Sequence, residues 1–137
     1  MQTFLPFKDF YETAKVLDYR RLGKQRIETK QIYQTLTGIS NGWKNHPCIK
    51  MWKGCEYALL EYGYIICKEW VSRGYKDSQT SYFEFELMHC KKGGMPIWMG
   101  DINFHLSHQS NLVRKDNNFY GKLFPNVQND LPYIWPN

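Results

Sequence analysis

Between Leu17 and Leu36 the chain reads LDYRRLGKQRIETKQIYQTL, and residues able to do chemistry are concentrated there. Arg20, Arg21, Lys24 and Arg26, with Lys30 just beyond, surround one carboxylate, Glu28. Asp18 is a natural N-cap, because a short side-chain acceptor satisfies the orphan amides of a first helical turn. Leu22, Thr29, Ile32, Tyr33 and Leu36 recur at helical spacing, which predicts an amphipathic helix. Arg21, Lys24 and Glu28 then share a neighbouring face, since residues three, four and seven apart stack on a helix. A carboxylate fixed among cations beside an apolar stripe can move protons or stabilise positive charge as it develops. The cations can hold phosphates. The plainer reading is a solvated flank with an i,i+4 Lys24–Glu28 pair, contributing a few tenths of a kcal/mol. Gly23 favours the chemical reading, since it costs a helix about 1 kcal/mol relative to Ala and the sequence offers no packing reason for it.

The elements that must position this helix are legible around it. Met1 to Phe7 is short, apolar and interrupted by Pro6, an extended lead-in packed on the body. Asp9 caps a first helix, Phe10 to about Leu17, and Gly38 closes the central one. Ile39 to Pro47 is a loop carrying Trp43, Asn45 and His46. Pro47 opens the longest expected helix, to about Arg73, with Gly74 as its stop. Its stripe of Trp52, Cys55, Leu59, Tyr62, Gly63, Ile66 and Trp70 is a core face. Tyr82 to Leu87 fits a short strand or a helical turn, and helix is the reading taken. Asp101 caps a last helix, Ile102 to about Arg114, and Phe119 to Asn137 is expected as an ordered aromatic and Pro-rich coil. The expected fold is all-α, a compact single-layer bundle of three to four helices forming one domain over residues 1–137.

Composition narrows the class. Hydrophobic residues are 42% and aromatics 17% of 137 residues, which excludes a disordered tail. No apolar run approaches the roughly 18 to 20 residues of a membrane helix, and no signal-peptide pattern opens the chain, so a soluble cytoplasmic protein is expected. The net charge of +5 suits a polyanionic partner. Cys48, Cys55, Cys67 and Cys90 lack paired spacing, and three of them fall in the expected long helix, so they read as free thiols.

Other groups could join the chemistry. Trp43 stands beside Lys44, Tyr120 near Arg114 and Lys115, and Trp98 after Lys91 and Lys92. Cations interleaved with aromatics hold a nucleic-acid strand and stack an unstacked base. Trp52 and Trp70 read as core; Trp43, Trp98 and Trp135 divide evenly between core and function. His105 and His108, three apart, could bind a metal, but structural zinc prefers tighter paired ligands, so no metal is assigned. His46 with His105 or His108 reads instead as polar donors to phosphate or to a helix end.

One arrangement resembles a known family. Leu17, Asp18, Leu22 and Glu28, then Asn45-His46-Pro47, resemble the pyrimidine-dimer DNA glycosylases of the phage endonuclease V type. The Ser72-Arg-Gly-Tyr75 turn, the Ser107 to Leu112 segment with Arg114 and Lys115, and Tyr120-Gly121 fit the same layout. The resemblance implies an all-α enzyme that binds duplex DNA carrying a damaged or modified base, flips a nucleotide and cuts a glycosidic bond without a cofactor. It implies that the chain's terminal amine attacks the sugar C1′ to give a Schiff base, with Glu28 stabilising the cationic sugar. An α-amine is a usable nucleophile near neutral pH.

Residue 2 departs from the family's small amino acid. Initiator Met is generally retained before a side chain as large as Gln2, so the nucleophile is Met1, Gln2 or Lys24, or a water activated by Glu28. The expected DNA contacts are Arg20, Arg21, Arg26, Trp43, Asn45, His46, His105, His108, Arg114 and Lys115. A monomer suffices. The competing readings are a non-enzymatic nucleic-acid-binding module and a metal-dependent nuclease using His105 and His108.

Overall fold

The computed structural model describes residues 1–136. Among them the chain is all-helical, with seven helices and no strand. Four carry the bundle: α2 (Tyr19–Leu36), α4 (Glu56–Ser72), α5 (Thr80–His89) and α6 (Ile102–Lys115). Of three short ones, α1 (Phe10–Val16) precedes α2, α3 (Pro47–Lys50) joins α2 to α4, and α7 (Asn117–Leu123) follows α6.

The expected caps form. Asp9 Oδ1 accepts from Tyr11 and Glu12 N–H, and Asp101 Oδ1 from Asn103 and Phe104 N–H. Each such cap contributes about 1 kcal/mol. The long helix expected from Pro47 to Arg73 is in fact two. It breaks over residues 51–55, where Gly54 takes φ +83°, a region open to glycine, and the turn drives Met51 and Trp52 into the core. Cys48, Cys55 and Cys67 are accordingly spread over α3, the start of α4 and its interior, all as free thiols. The C-terminal coil begins only after α7, whose N-terminus is capped by Asp116 accepting from Phe119 N–H at 3.2 Å.

α2 and α4 form the central pair. Gly23 has a packing reason: a Cβ there would stand 3.0 Å from the Trp70 ring. Gly63 on α4 is tighter still, its place for a Cβ lying 2.3 Å from the Phe83 ring of α5. Trp52, Tyr62, Phe83, Phe104 and Tyr120 are fully buried between the helices. Trp98 is core too, its indole N–H donating to Met51 O at 3.0 Å, whereas Trp70 is half-buried.

The mixed polarity of α6 has a physical reason: it serves two extended termini. His105, His108 and Gln109 bond the N-terminal segment, at Leu5 O, Leu5 N and Pro6 O. Ser107, Ser110 and Asn111 bond the C-terminal coil, at Ile134 N, Leu131 N and Leu131 O. A helix holding unpaired backbone on both sides must bury polar side chains, and Ser107, His108, Ser110 and Asn111 are all buried.

Candidate active site

Extended backbone inside a helical protein has no ladder to satisfy it, so side chains must do so. Residues 2–7 meet that demand almost completely. Gln25, fully buried within the apolar stripe of α2, accepts from Phe4 N–H at 3.0 Å through Oε1 and donates to Gln2 O at 2.9 Å through Nε2. Its amide orientation is thereby fixed. The Tyr62 hydroxyl of α4 shares its proton between Phe4 O at 2.7 Å and Gln25 Oε1 at 2.6 Å. Trp52 donates to Thr3 Oγ1 at 3.1 Å, and Thr13 bonds both Phe7 N and Phe7 O.

His108 Nδ1 accepts from Leu5 N–H at 3.0 Å. His105 Nε2 accepts from Gly100 N–H at 3.0 Å, so its proton sits on Nδ1 and is donated to Leu5 O at 2.8 Å. Both rings are buried, which corrects their expected role as DNA contacts: they hold the N-terminal segment. Burial also pushes His108 down to about 3, with His105 adding to the effect, so its ring is neutral.

This clamp ends at Glu28. Gln2 N–H donates to Glu28 Oε2 at 3.1 Å, which sets the terminal residue, Met1, beside the one carboxylate of the α2 cationic face. Glu28 takes this bond from the backbone of Gln2, where the sequence suggested a pair with Lys24.

Met1, Gln2, Arg20, Arg21, Lys24, Glu28, His46 and Lys115 line one cleft of about 850 Å³, together with the rings of Phe119, Tyr133 and Trp135. Asp18 and Asp116 line it as well. Burial opposes the charged form of Asp18, but hydrogen bonds from Tyr120 and Arg21 prevail and hold its carboxyl below the usual range. Burial, then the neighbouring Arg21 and Arg114, pull the Lys115 ammonium down.

His46 caps α3, its Nδ1 accepting from Cys48 N–H at 3.0 Å, which leaves the proton of the neutral ring on Nε2. Burial and the nearby terminal amine lower its pKa. His46 therefore offers a neutral donor. It also sits edge-on between Trp43 and Trp135, at 5.9 and 5.4 Å.

Trp43 lies outside this cleft, on a second groove of about 460 Å³ that shares Met1, Lys24 and Glu28 with it and adds Ile27 and Gln31. Its φ of 62° is in the left-handed region that costs an L-residue about 1 kcal/mol or more, and its indole is 60% exposed. Asn45 is exposed on the same loop but lines neither cavity.

Two expected DNA contacts have other work. Arg26 is paired with Asp77 and lies 4.3 Å over the Trp70 ring, which locks α2 to the segment leading into α5. Arg114 bonds Asn111 Oδ1 and the carbonyls of Asn129 and Leu131, and so ties down the C-terminal coil.

Of the pattern of Asp18, Leu22 and Glu28 followed by Asn45-His46-Pro47, the fold brings Asp18, Glu28 and His46 into one cleft at the chain's amino end, while Leu22 is buried in the core. A family model described as pyrimidine dimer DNA glycosylase matches residues 1–82. The chain belongs to the pyrimidine dimer DNA glycosylase family. No curated protein and no solved structure matches it. The glycosylase match runs from the N-terminal segment into α5, so it covers Met1, Gln2, Glu28 and His46. The wall built from Lys115, Phe119, Tyr133 and Trp135 lies beyond it. No helix among the described residues is long and apolar enough to cross a membrane.

The sequence reading missed the residues that position the site. Gln25 carried a signal, a carboxamide three residues from Leu22 and four from Thr29, inside the apolar stripe. Tyr62 carried none, because a hydroxyl on an apolar face looks like any core tyrosine.

Proposed function

We propose that this protein excises a damaged or modified, bulky pyrimidine from duplex DNA and forms a Schiff base through its terminal amine as it does so. One observation carries the reading: Gln2 N–H is bonded to Glu28 Oε2 at 3.1 Å, so the amine one residue away shares a cation-lined cleft with a carboxylate. The target nucleotide turns out of the stack to reach that depth, at a cost of a few kcal/mol that is lowest for a damaged pair. Arg20, Arg21, Lys24 and Lys115 hold phosphates, and the His46 Nε2 proton is offered to an oxygen of the sugar-phosphate chain.

In the chemical step the neutral amine nitrogen forms a bond to C1′ as the bond from C1′ to the base breaks. The base leaves with the electron pair and takes up a proton. Glu28 stabilises the cationic sugar as charge develops and accepts the proton lost by the amine. The C1′–O4′ bond then breaks, O4′ taking that proton back from Glu28 while the nitrogen lone pair forms the iminium. Loss of a C2′ proton then expels the 3′ phosphate, which nicks the strand. The same site serves either repair or defence against modified foreign DNA.

Duplexes carrying a pyrimidine dimer, a bulky modified pyrimidine or neither, incubated with borohydride, test the proposal. A trapped complex on a lesion duplex, with its adduct mapped to Met1, is the expected result. Base release with alkali-labile sites but no trapped complex would replace the amine by a water that Glu28 activates. An adduct on Lys24 would move the nucleophile.

A further inference from the structure

A ladder of rings and guanidinium groups runs up to the cleft. Arg26 lies 4.3 Å over Trp70 at its far end; Trp70 stacks on Tyr75 at 4.3 Å and 26°, and Tyr75 faces Tyr19 at 6.4 Å and 29°. Arg20 ends it, its guanidinium 5.8 Å from the Tyr19 ring centre and its Nε donating to the Tyr19 hydroxyl at 3.2 Å. Tyr19 and Arg20 also line the cleft.

The ladder is rigid at its back and open at its front. Arg73 ties the turn before Tyr75 to the end of α1, donating to Ala14 O and Lys15 O at 3.0 and 3.1 Å while paired with Glu69 at 2.8 Å. Gly74, at φ +93°, makes the turn, and the Trp70 indole N–H fixes its far side by donating to Lys76 O at 2.8 Å. Tyr75 thus has a buttressed rear face. Tyr19, on the first turn of α2, is 51% exposed and Tyr75 41%. Their separation exceeds the Tyr75–Trp70 contact by a large fraction of a ring thickness. Among the described residues the Tyr19 hydroxyl accepts only from Arg20 of its own helix turn.

We propose that Tyr19 and Tyr75 form an aromatic clamp that takes one unstacked nucleobase of the bound DNA where the strand leaves the cleft, with Arg20 on the adjoining phosphate. The inference rests on the DNA-binding reading above. Stacking is indifferent to base identity, because every base has a π-face, so the clamp adds affinity for distorted DNA without reading sequence. A well-stacked duplex offers it nothing. That makes the ladder a detector of disrupted stacking, separate from the residues that act on the sugar.

The test uses the full chain with Glu28→Gln, to prevent turnover, and a duplex with one pyrimidine dimer. Titrations run across a salt series, and 2-aminopurine is placed at each position beside and opposite the lesion. Tyr19→Ala is expected to weaken binding on the order of tenfold with an unchanged salt slope. Tyr19→Phe should bind like its parent, and both should melt like it, since the ring is exposed. Arg20→Gln should instead lower the salt slope by about one. A 2-aminopurine quenched at one position by the parent and restored by Tyr19→Ala identifies the clamped base and its strand. The clamp is overturned by Tyr19→Ala binding within twofold of the parent, by Tyr19→Phe failing equally, or by a loss that lowers the salt slope. If the parent binds the lesion duplex no better than a neutral polymer, the DNA reading falls with it.

Discussion

Asp18 and Tyr120 hold each other by two hydrogen bonds across 102 residues of chain: the Asp18 N–H donates to the Tyr120 hydroxyl at 2.8 Å, and that hydroxyl donates to Asp18 Oδ1. Asp18 also caps α2 by accepting from Arg21 N–H, so α7 is coupled to the first turn of the helix that carries Glu28. Tyr120→Phe removes both bonds and leaves a buried carboxylate short of a donor. It should cost about 1 to 3 kcal/mol in chemical denaturation. The folded-state pKa of Asp18 is depressed, so its contribution is present above the unfolded carboxyl pKa and is lost as pH falls through the folded one. The deficit of Tyr120→Phe should therefore shrink below about pH 4.

Glu28→Gln retains an oxygen that can accept from Gln2 N–H, so the N-terminal segment should stay in place. Base release should fall by at least about a hundredfold while binding of lesion DNA is kept. Single-turnover kinetics beside equilibrium titration separate the two. Full excision by this variant would remove Glu28 from the mechanism.

Gln25→Leu keeps the bulk but strands Phe4 N–H and Gln2 O and removes one of the two acceptors of the Tyr62 proton, at a cost of about 2 to 5 kcal/mol. The amine would then be poorly held, and kcat should fall more than KM rises. An unchanged kcat in the folded variant would show that the segment needs no clamp.

How much of this was legible depended on the reach of each signal. Caps at Asp9, Asp18 and Asp101, and the stripe of α2, are local and were readable. The face shared by Arg21, Lys24 and Glu28 was readable for the same reason, and the cleft forms on it. Arg26, one turn from the cleft in sequence terms, looked equivalent to its neighbours; only the fold brings Asp77 and Trp70 onto it. His105 and His108 read as surface donors because their partner, Leu5, lies about a hundred residues away. The break at 51–55 was hidden because the helical periodicity of Trp52, Cys55 and Leu59 runs through it. Gly23 looked unexplained until Trp70 was seen against it. Gly23→Ala should thus gain about 1 kcal/mol of helix propensity yet lose it again to the ring, whereas Gly63→Ala should destabilise by about 1 to 3 kcal/mol because Phe83 has nowhere to move. Thermal melts of the pair check the contrast.

His108 supplies a pH dependence that the carboxylates do not. It is fully buried and its pKa is pushed down to about 3, while the unfolded chain holds an ordinary imidazole. Above pH 6.5 both states are neutral and the residue contributes no slope. Below it, the unfolded state takes up a proton that the native state refuses, so stability falls with falling pH down to the folded value. The slope approaches about 1.4 kcal/mol per pH unit between roughly pH 5.5 and 4, where the unfolded carboxyls of Asp18 and Asp77 begin to add a slope of the same sign. His46, also lowered, adds a slope of the same sign as pH falls below the ordinary imidazole value. His108→Asn keeps an oxygen acceptor for Leu5 N–H but cannot be protonated. Urea titrations at successive pH values should show the wild-type curve bending down through this window and the variant's remaining flatter by about one proton. Parallel curves would mean that His108 is protonated inside the fold, and that its contact with Leu5 is not the one described.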